Sequence, residues 1–595
     1  MEQHETVPQK FFSLDALRSY TAFALGFAVV SSPWLGGSVI YLTAGMLLSI
    51  TLFWKNSFSV QSAQTSFAWS LPWLGLIWCW AIILVAVPFD LGSLRVSWQQ
   101  LGPQVGHFEF VALITRWFSS LEHFSALRIA FQFTILVGLF TAWRSYPTLR
   151  AKVWLGVWCG LPILFLAAIL QKLAIYDFSI FSDLVPPLSG FWRSQYRISG
   201  TLTDPNALGV VSALLFPMVL CSWRSSSIIV RFLRILALLG LSACGLAAGS
   251  RSFIAAIVVI SLIFAWRQQR RALQVGSALI LLVVLGWNIA LVFTPALLGD
   301  LIAVTPTNLA RILETFSWPT MTQALSSRLV FLRIGLETWQ QSPVLGVGLG
   351  QFSNHVLSSS AALGIDLGGW RDNANNFYLG VLSETGVLGV LALGASVLRL
   401  QVSIAKSPRK IAAGVSLAAF AFILLFGPHL EFAEVSILIA LLMAEVLEVR
   451  QQSFDRLMFI SLFCTATTAF LIYIQVASSS WGLFGVEREG ERNFRWTART
   501  AQLVVPCNSD QLTRVAIKAI FPQRLGREQA VSLTYQNEVS RLVFRPHQEQ
   551  IAEFRCSPGA RSEILRIEIL NPWIPRAFGM GRDTRILGVQ IIQEG

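Results

Sequence analysis

The sequence predicts a mainly α-helical, polytopic membrane protein with a soluble β-sandwich domain at its C-terminal end. Of its 595 residues, 54% are hydrophobic and only 13% charged, with a mean hydropathy of +0.60, whereas soluble domains carry about 25% charged residues. Many apolar runs approach the roughly 20 residues that a helix needs to cross a bilayer, and in lipid only helices or closed barrels satisfy their own backbone. From residue 479 the character changes: 479–595 hold 16 Lys/Arg and 12 Asp/Glu, against 49 charged residues in the first 478.

Taken in order, the apolar runs place about 13 transmembrane helices near 17–34, 36–54, 66–87, 126–143, 153–171, 204–222, 228–247, 252–266, 272–294, 375–399, 411–427, 433–448 and 456–478. The run 252–266 is the shortest. The first follows Asp15 and Arg18 and leads straight into another, which fits a retained anchor better than a cleaved signal. Residues 1–478 therefore form the membrane domain, with one large outward loop at 295–374.

Basic residues orient the chain. Arg144, Arg150 and Lys152, then Arg224, Arg231 and Arg234, then Arg267, Arg270 and Arg271, then Lys406, Arg409 and Lys410, then Arg450 and Arg456 fall in alternate short connections. The positive-inside rule makes these cytoplasmic, together with the N-terminus, and puts the other loops and the C-terminal domain outside. The net charge of +13 follows from this bias and from a basic tail, and gives no argument for nucleic acid as a partner. Membrane lipids are the expected surroundings.

The tail reads as a sandwich because short alternating runs such as "AVSLTY", "SRLVF" and "EILRIEIL" are separated by Pro, Gly, Asn and Ser. It could bind glycan or brace the membrane domain. Its two cysteines, Cys507 and Cys556, are free to pair in an oxidising compartment, while the five in apolar runs read as small packing residues.

The loop 295–374 is too long for a simple connection. Ser326 can cap a helix on which Leu329, Leu332, Leu336 and Trp339 share a face and Arg333 pairs with Glu337. Such a helix would serve as a lid or substrate platform.

Four outward stretches carry the chemistry. In "YRISGTLTDPNALG", Asp204 and Pro205 read as N-cap and first helical residue, with Arg197 seven residues before the cap. An arginine beside a helix N-terminus suits a phosphate, although a capped helix plus one loop arginine explains the same letters. In "AGSRSF", Arg251 breaks the positive-inside pattern, either as a functional cation or as an interfacial arginine reaching water. In "SSRLVFLRIGLETWQQSPVLGVGLGQF", the glycines at 346–350 lack the spacing of a nucleotide loop and read as a tight, close-packing turn. The fourth, "RDNANNFYLGVLSETGVLG", opens with Asp372, Asn373, Asn375 and Asn376 and places Asn376, Gly380, Ser383 and Glu384 in one helical stripe. An intramembrane carboxylate such as Glu384 is a functional candidate, with a structural hydrogen-bonding role as the alternative.

Over roughly residues 120–448, these motifs in this order resemble the O-antigen ligase and polymerase superfamily, bacterial inner-membrane glycosyltransferases of the GT-C class. The resemblance implies a metal-independent enzyme without a cofactor. It would take glycan from undecaprenyl pyrophosphate on the periplasmic side and pass it to another glycan, to lipid A–core or to a protein hydroxyl. Arg197, Arg251 and Arg328 match the family's outward arginines and would bind the pyrophosphate. No D-x-D sequence or His/Asp cluster of metal-ligand type is evident.

The chain departs from the ligases where they commonly have His-Asn, since Asn375-Asn376 stands there. Asparagine cannot accept a proton usefully near neutral pH, which favours polymerisation or another acceptor over ligation to lipid A–core. Asp372, His355 and Glu384 remain as candidate bases around Asn375 and Asn376. Two rivals stay open. A flippase or transporter of lipid-linked sugar would share the spans and arginines, though no repeated halves are visible. A non-catalytic scaffold of a polysaccharide export machine would account for the missing histidine.

Overall fold

A computed structural model describes residues 14–31, 44–45, 47, 70–86, 99–100, 124–175, 197–202, 204–221, 227–268, 318–367, 372–398, 400–402, 407–449, 465–475, 481–489, 492–507, 512–522, 528–536, 538–558, 562–573 and 587–593. The helices are α1 (Leu14–Ser31), α2 (Leu71–Ala86), α3 (Phe124–Ser145), α4 (Pro147–Ile175), α5 (Pro205–Cys221), α6 (Ile228–Ala247), α7 (Arg251–Gln268), α8 (Trp318–Gln341), α9 (Phe352–Ala362), α10 (Phe377–Val397), α11 (Pro408–Ile423) and α12 (Ala433–Val446). A further helical stretch covers 465–475.

Among the described residues, five helices are long and apolar enough to cross a membrane: Ser125–Ser145, Pro147–Leu173, Ile228–Ala247, Phe377–Val397 and Pro408–Phe426. Thirteen spans are not reached. The apolar parts of α1, α2, α5 and α7 are shorter, 17 residues or fewer, and the expected spans at 36–54 and 272–294 lie almost wholly outside the described residues. The chain is a multi-pass membrane protein.

Burial follows composition. From Ala433 to Leu442 every residue of α12 is buried, as a helix apolar on all sides requires. It packs on α3 and α11, and α5 lies beside it. The closest crossing joins α1 to α4, where Gly26 and Gly156 let the backbones touch. A Cβ on Gly26 would fall 1.9 Å from the Val153 carbonyl oxygen, and one on Gly156 would fall 2.1 Å from that of Phe23. Small residues at a crossing are how helices associate in lipid, where no hydrophobic drive separates helix from solvent.

At one end of the body, buried Glu445 of α12 holds Arg150 at 3.2 Å and Arg409 at 2.7 Å, and accepts from Trp154 Nε1 at 2.8 Å. Beside it β1 (Leu400–Val402) pairs antiparallel with β2 (Leu447–Val449), joining the ends of α10 and α12.

The C-terminal strands are β3 (Trp481–Glu489), β4 (Arg492–Pro506), β5 (Leu512–Lys518), β6 (Gln529–Tyr535), β7 (Glu538–Phe544), β8 (Glu549–Arg555), β9 (Ser562–Ile569) and β10 (Gln590–Gln593). Hydrogen bonding makes them one antiparallel sheet in the order β7-β6-β9-β4-β10-β5-β8, with β3 added on β4. In place of the two separate sheets of the expected sandwich, hydrogen bonding is continuous through β4, whose residues 493–496 pair with β10 and 500–506 with β9. One core receives Trp496, Ile517, Leu533, Phe544, Leu565 and Ile567 from both halves. Cys507 and Cys556 form a disulfide.

In the loop region the expected helix is present but longer and turned. α8 begins at Trp318, so Ser326 lies inside it rather than at its cap. Leu329, Leu332 and Leu336 point outward at 55%, 38% and 39% exposure, and Phe331, Ile334 and Thr338 are the buried face. The reason is Gly335, which lets Leu379 of α10 approach so closely that a Cβ would meet it at 2.4 Å. Arg333 and Glu337 form no ion pair among the described residues.

Candidate functional site

The polar letters before α10 build its start. Asn376 is the N-cap, accepting from Leu379 N–H at 3.0 Å. The preceding residues bond one another: Asn373 N–H donates to Asp372 Oδ1 at 2.8 Å, Asn375 N–H to Asn373 Oδ1 at 2.9 Å, and Asn375 Nδ2 to Asp372 Oδ2 at 3.2 Å. Asn375 takes a positive φ of 51°, a conformation that asparagine tolerates better than most residues.

Inside α10 the chain breaks at Gly386, with φ 64° and ψ −166°. The glycine turn docks into that break. Val347 N–H donates to Ser383 O and Gly348 N–H to Glu384 O, while Val387 and Leu388 N–H donate to Pro343 O and Val344 O. Backbone groups freed by the break are thereby satisfied, which lipid demands. A Cβ at Gly386 would lie 2.2 Å from Val344 O, and one at Gly346 2.3 Å from the Glu384 carbonyl carbon. The glycines at 346–350 are there for close approach.

Glu384 completes this lock. Its Oε2 accepts from Gly350 N–H at 2.9 Å and its Oε1 from Phe352 N–H at 3.2 Å, so the carboxylate sits at the N-terminus of α9, where negative charge is stabilised. Its partners are the amides of the turn residue Gly350 and of Phe352, the first residue of α9. The stripe expected along α10 divides: Asn376, Gly380 and Glu384 line a cavity, whereas Ser383 turns away and donates to Gly335 O at 3.0 Å.

That cavity measures about 280 Å³ and is also lined by Arg128, Gln132, Asn373 and Glu431. Burial raises the Glu431 carboxyl above its ordinary range; Arg128 opposes this and Asp372 adds to it. Glu431 is nonetheless exposed to the cavity space.

Of the outward arginines, Arg328 reaches the connection 426–431 that also borders the cavity. Arg197 is buried, with Nε donating to Ala248 O at 2.7 Å and Nη2 to Asn206 Oδ1 at 2.8 Å. Asp204 accepts from Asn206 N–H at 2.7 Å as the cap of α5, as the Asp-Pro pair implies. Arg251, the first residue of α7, follows Ala248 by three positions. Arg328 donates to Phe426 O at 3.1 Å and lies 5.1 Å over the Phe426 ring. Burial and then the nearby Arg251 charge lower the Arg328 pKa. His429 is buried, with Nε2 3.2 Å from Ser252 Oγ, and burial plus Arg328 push its pKa down to about 4.

His355 is placed apart from the cavity, on α9, with Nδ1 3.3 Å from Gln341 Oε1. Burial and Arg495 of β4 lower its pKa, so it looks toward the C-terminal sheet. The structure thus gathers Asn376 and Glu384 at the cavity with Asp372 at its rim, and Arg251 with Arg328. Sequence reading missed Arg128, His429 and Glu431. Their signals were a charge inside the apolar run "FSALRIAF" and a "GPHLEF" connection too short to be polar by chance.

The family model described as O-antigen ligase matches residues 235–394. This stretch is similar to that family's domain. It includes Arg251, Arg328, Asp372, Asn375, Asn376 and Glu384, and it ends before His429 and Glu431. A comparison with curated proteins finds no match. An O-antigen ligase domain within apolar membrane-crossing helices supports polysaccharide-related glycosyl transfer at a membrane.

Proposed function

We propose that the protein transfers glycan from undecaprenyl pyrophosphate to an acceptor hydroxyl on the periplasmic face of the bacterial inner membrane, as a polymerase or ligase. The observation that carries this reading is that the O-antigen ligase match holds both Arg251 and Arg328, with the Arg251 charge near enough to lower the Arg328 pKa. Two neighbouring cations invite an anion between them. Guanidinium groups bind phosphate oxygens in bidentate fashion.

In the proposed step the acceptor oxygen bonds to the anomeric carbon of the donor sugar. The bond from that carbon to the pyrophosphate oxygen breaks, and its electron pair leaves with the pyrophosphate. Arg251 and Arg328 offset the charge that accumulates there, so the step asks for no metal. Arg197, already committed to Ala248 and Asn206, ties the start of α5 to the end of α6 just before Arg251.

The acceptor proton goes to a carboxylate. Both oxygens of Glu384 and of Asp372 accept protein hydrogen bonds, which leaves Glu431, exposed in the cavity, as the base. Asn375 donates to Asp372 and fixes the rim. The acceptor is another glycan, lipid A–core or a protein hydroxyl, and the cavity takes its terminal sugar. The basic connections put the N-terminus in the cytoplasm, the loop 295–374 and residues 479–595 in the periplasm.

Arg251→Ala and Arg328→Ala test the reading. Each should lower transfer by about 100-fold or more, the usual loss when a group that stabilises developing charge is removed, with protein abundance unchanged. Undiminished transfer in either variant at equal abundance refutes the pyrophosphate site.

A further inference from the structure

A second, larger cavity lies at the opposite end of the body from this site. It is a groove of about 820 Å³ between α4, α5, α6 and the start of α11, near the top of the roughly 300–1,000 Å³ range of small-molecule pockets. Along α4 its wall is Trp154, Trp158, Leu161, Pro162 and Phe165. These recur at helical spacing over twelve residues, a length of roughly 16 Å. One leaflet of a bilayer's hydrocarbon core is about 15 Å deep, so the wall is as long as one leaflet is thick.

The opposite wall is α6, whose Leu233 and Leu236 remain 57% and 46% exposed. The groove ends in cations. Arg409 closes it at the end where α11 begins, and Arg234 lines it. Arg409 stacks 5.5 Å from the Trp154 ring and shares Glu445 with Arg150, so that node holds two positive charges against one negative. Arg234 adds a third. Its Nη1 is buried with no hydrogen-bond partner, and it makes no ion pair among the described residues. A buried guanidinium nitrogen without a partner is costly unless something accepts from it.

An apolar channel one leaflet deep, capped by surplus guanidinium and edged by a tryptophan, has the layout of a phospholipid seat. We infer that the groove binds one anionic glycerophospholipid, its acyl chain along Trp158, Leu161 and Phe165 and its phosphate on Arg234. The inference does not depend on the glycosyl-transfer reading.

Native mass spectrometry of the full-length protein in detergent, titrated with phosphatidylglycerol, phosphatidylcholine or undecaprenyl phosphate, tests it. The wild type should retain one phosphatidylglycerol in preference to phosphatidylcholine. Arg234→Ala should weaken that retention by about fivefold, the loss expected for one arginine near an anionic headgroup, and leave phosphatidylcholine unaffected. Ala237→Phe fills the groove without touching its charge and should abolish the bound lipid, which keeps the test decisive if Arg234→Ala does not fold. Equal retention of the two phospholipids means ordinary annular lipid and overturns the proposal. Preferential retention of undecaprenyl phosphate overturns the assignment to a phospholipid.

Discussion

Glu384 and Glu431 carry the same carboxylate and face the same cavity, yet their surroundings give them different work. Glu384 has both oxygens tied to the amides of Gly350 and Phe352, so it holds the turn and α9 in place. Glu431 meets the cavity space with its carboxyl held above the ordinary range by burial, as suits a general base. Glu431→Gln should therefore lower kcat by about 100-fold or more with little change in the KM for lipid-linked donor. Wild-type transfer on a fall in pH should fail above the usual carboxylate range, because protonation removes the base. A Glu431→Gln enzyme with wild-type kcat would exclude the role. His429 makes a second pH-dependent contribution. Its folded pKa of about 4 lies below the ordinary 6.5, so the unfolded chain binds the extra proton between those values. Its contribution to stability is intact above pH 6.5 and is lost as pH falls toward 4, by about 3 kcal/mol in all. Thermal unfolding of the detergent-solubilised protein across that window should show the loss, and His429→Gln should flatten it.

At the scale of elements, helix existence was legible and helix orientation was not. The Asp204-Pro205 pair announces the start of α5 because proline at the first helical position and aspartate before it are locally encoded. The face of α8 is set by a neighbour instead. Leu329, Leu332 and Leu336 look like a buried stripe, but Gly335 admits Leu379 on the other side, and no local pattern records that approach. The break in α10 was hidden for a similar reason. Gly386 reads as an ordinary membrane glycine until the turn at 343–350 is seen to satisfy the freed backbone. The α1–α4 crossing gives a direct test of such close approach. Gly156→Leu must push a side chain into the Phe23 carbonyl, and overpacking of this kind typically costs about 1–3 kcal/mol. The variant should elute as a less monodisperse species and unfold at lower temperature; unchanged stability would show that the backbones do not touch.

Across the whole molecule, the division into a membrane body and a charged, strand-rich tail was plain from composition, since lipid and water select different residues. The meeting of Arg128 with Glu431, and of His429 with Ser252 and Arg328, was not, because these residues come from different helices and connections and come together only in three dimensions. Arg251 of α7 and Arg328 of α8, the cavity that holds Glu431, and the connection 426–431 that borders both make up the proposed transferase site. Its central claim is tested most directly by incubating the purified protein with a lipid-linked oligosaccharide in the presence of EDTA and analysing the glycan lipids by mass spectrometry. The account predicts longer lipid-linked chains, or glycan moved to an added lipid A–core or protein acceptor, with undecaprenyl pyrophosphate released. A lipid-linked substrate that is bound but never consumed, with every acceptor supplied, would contradict it.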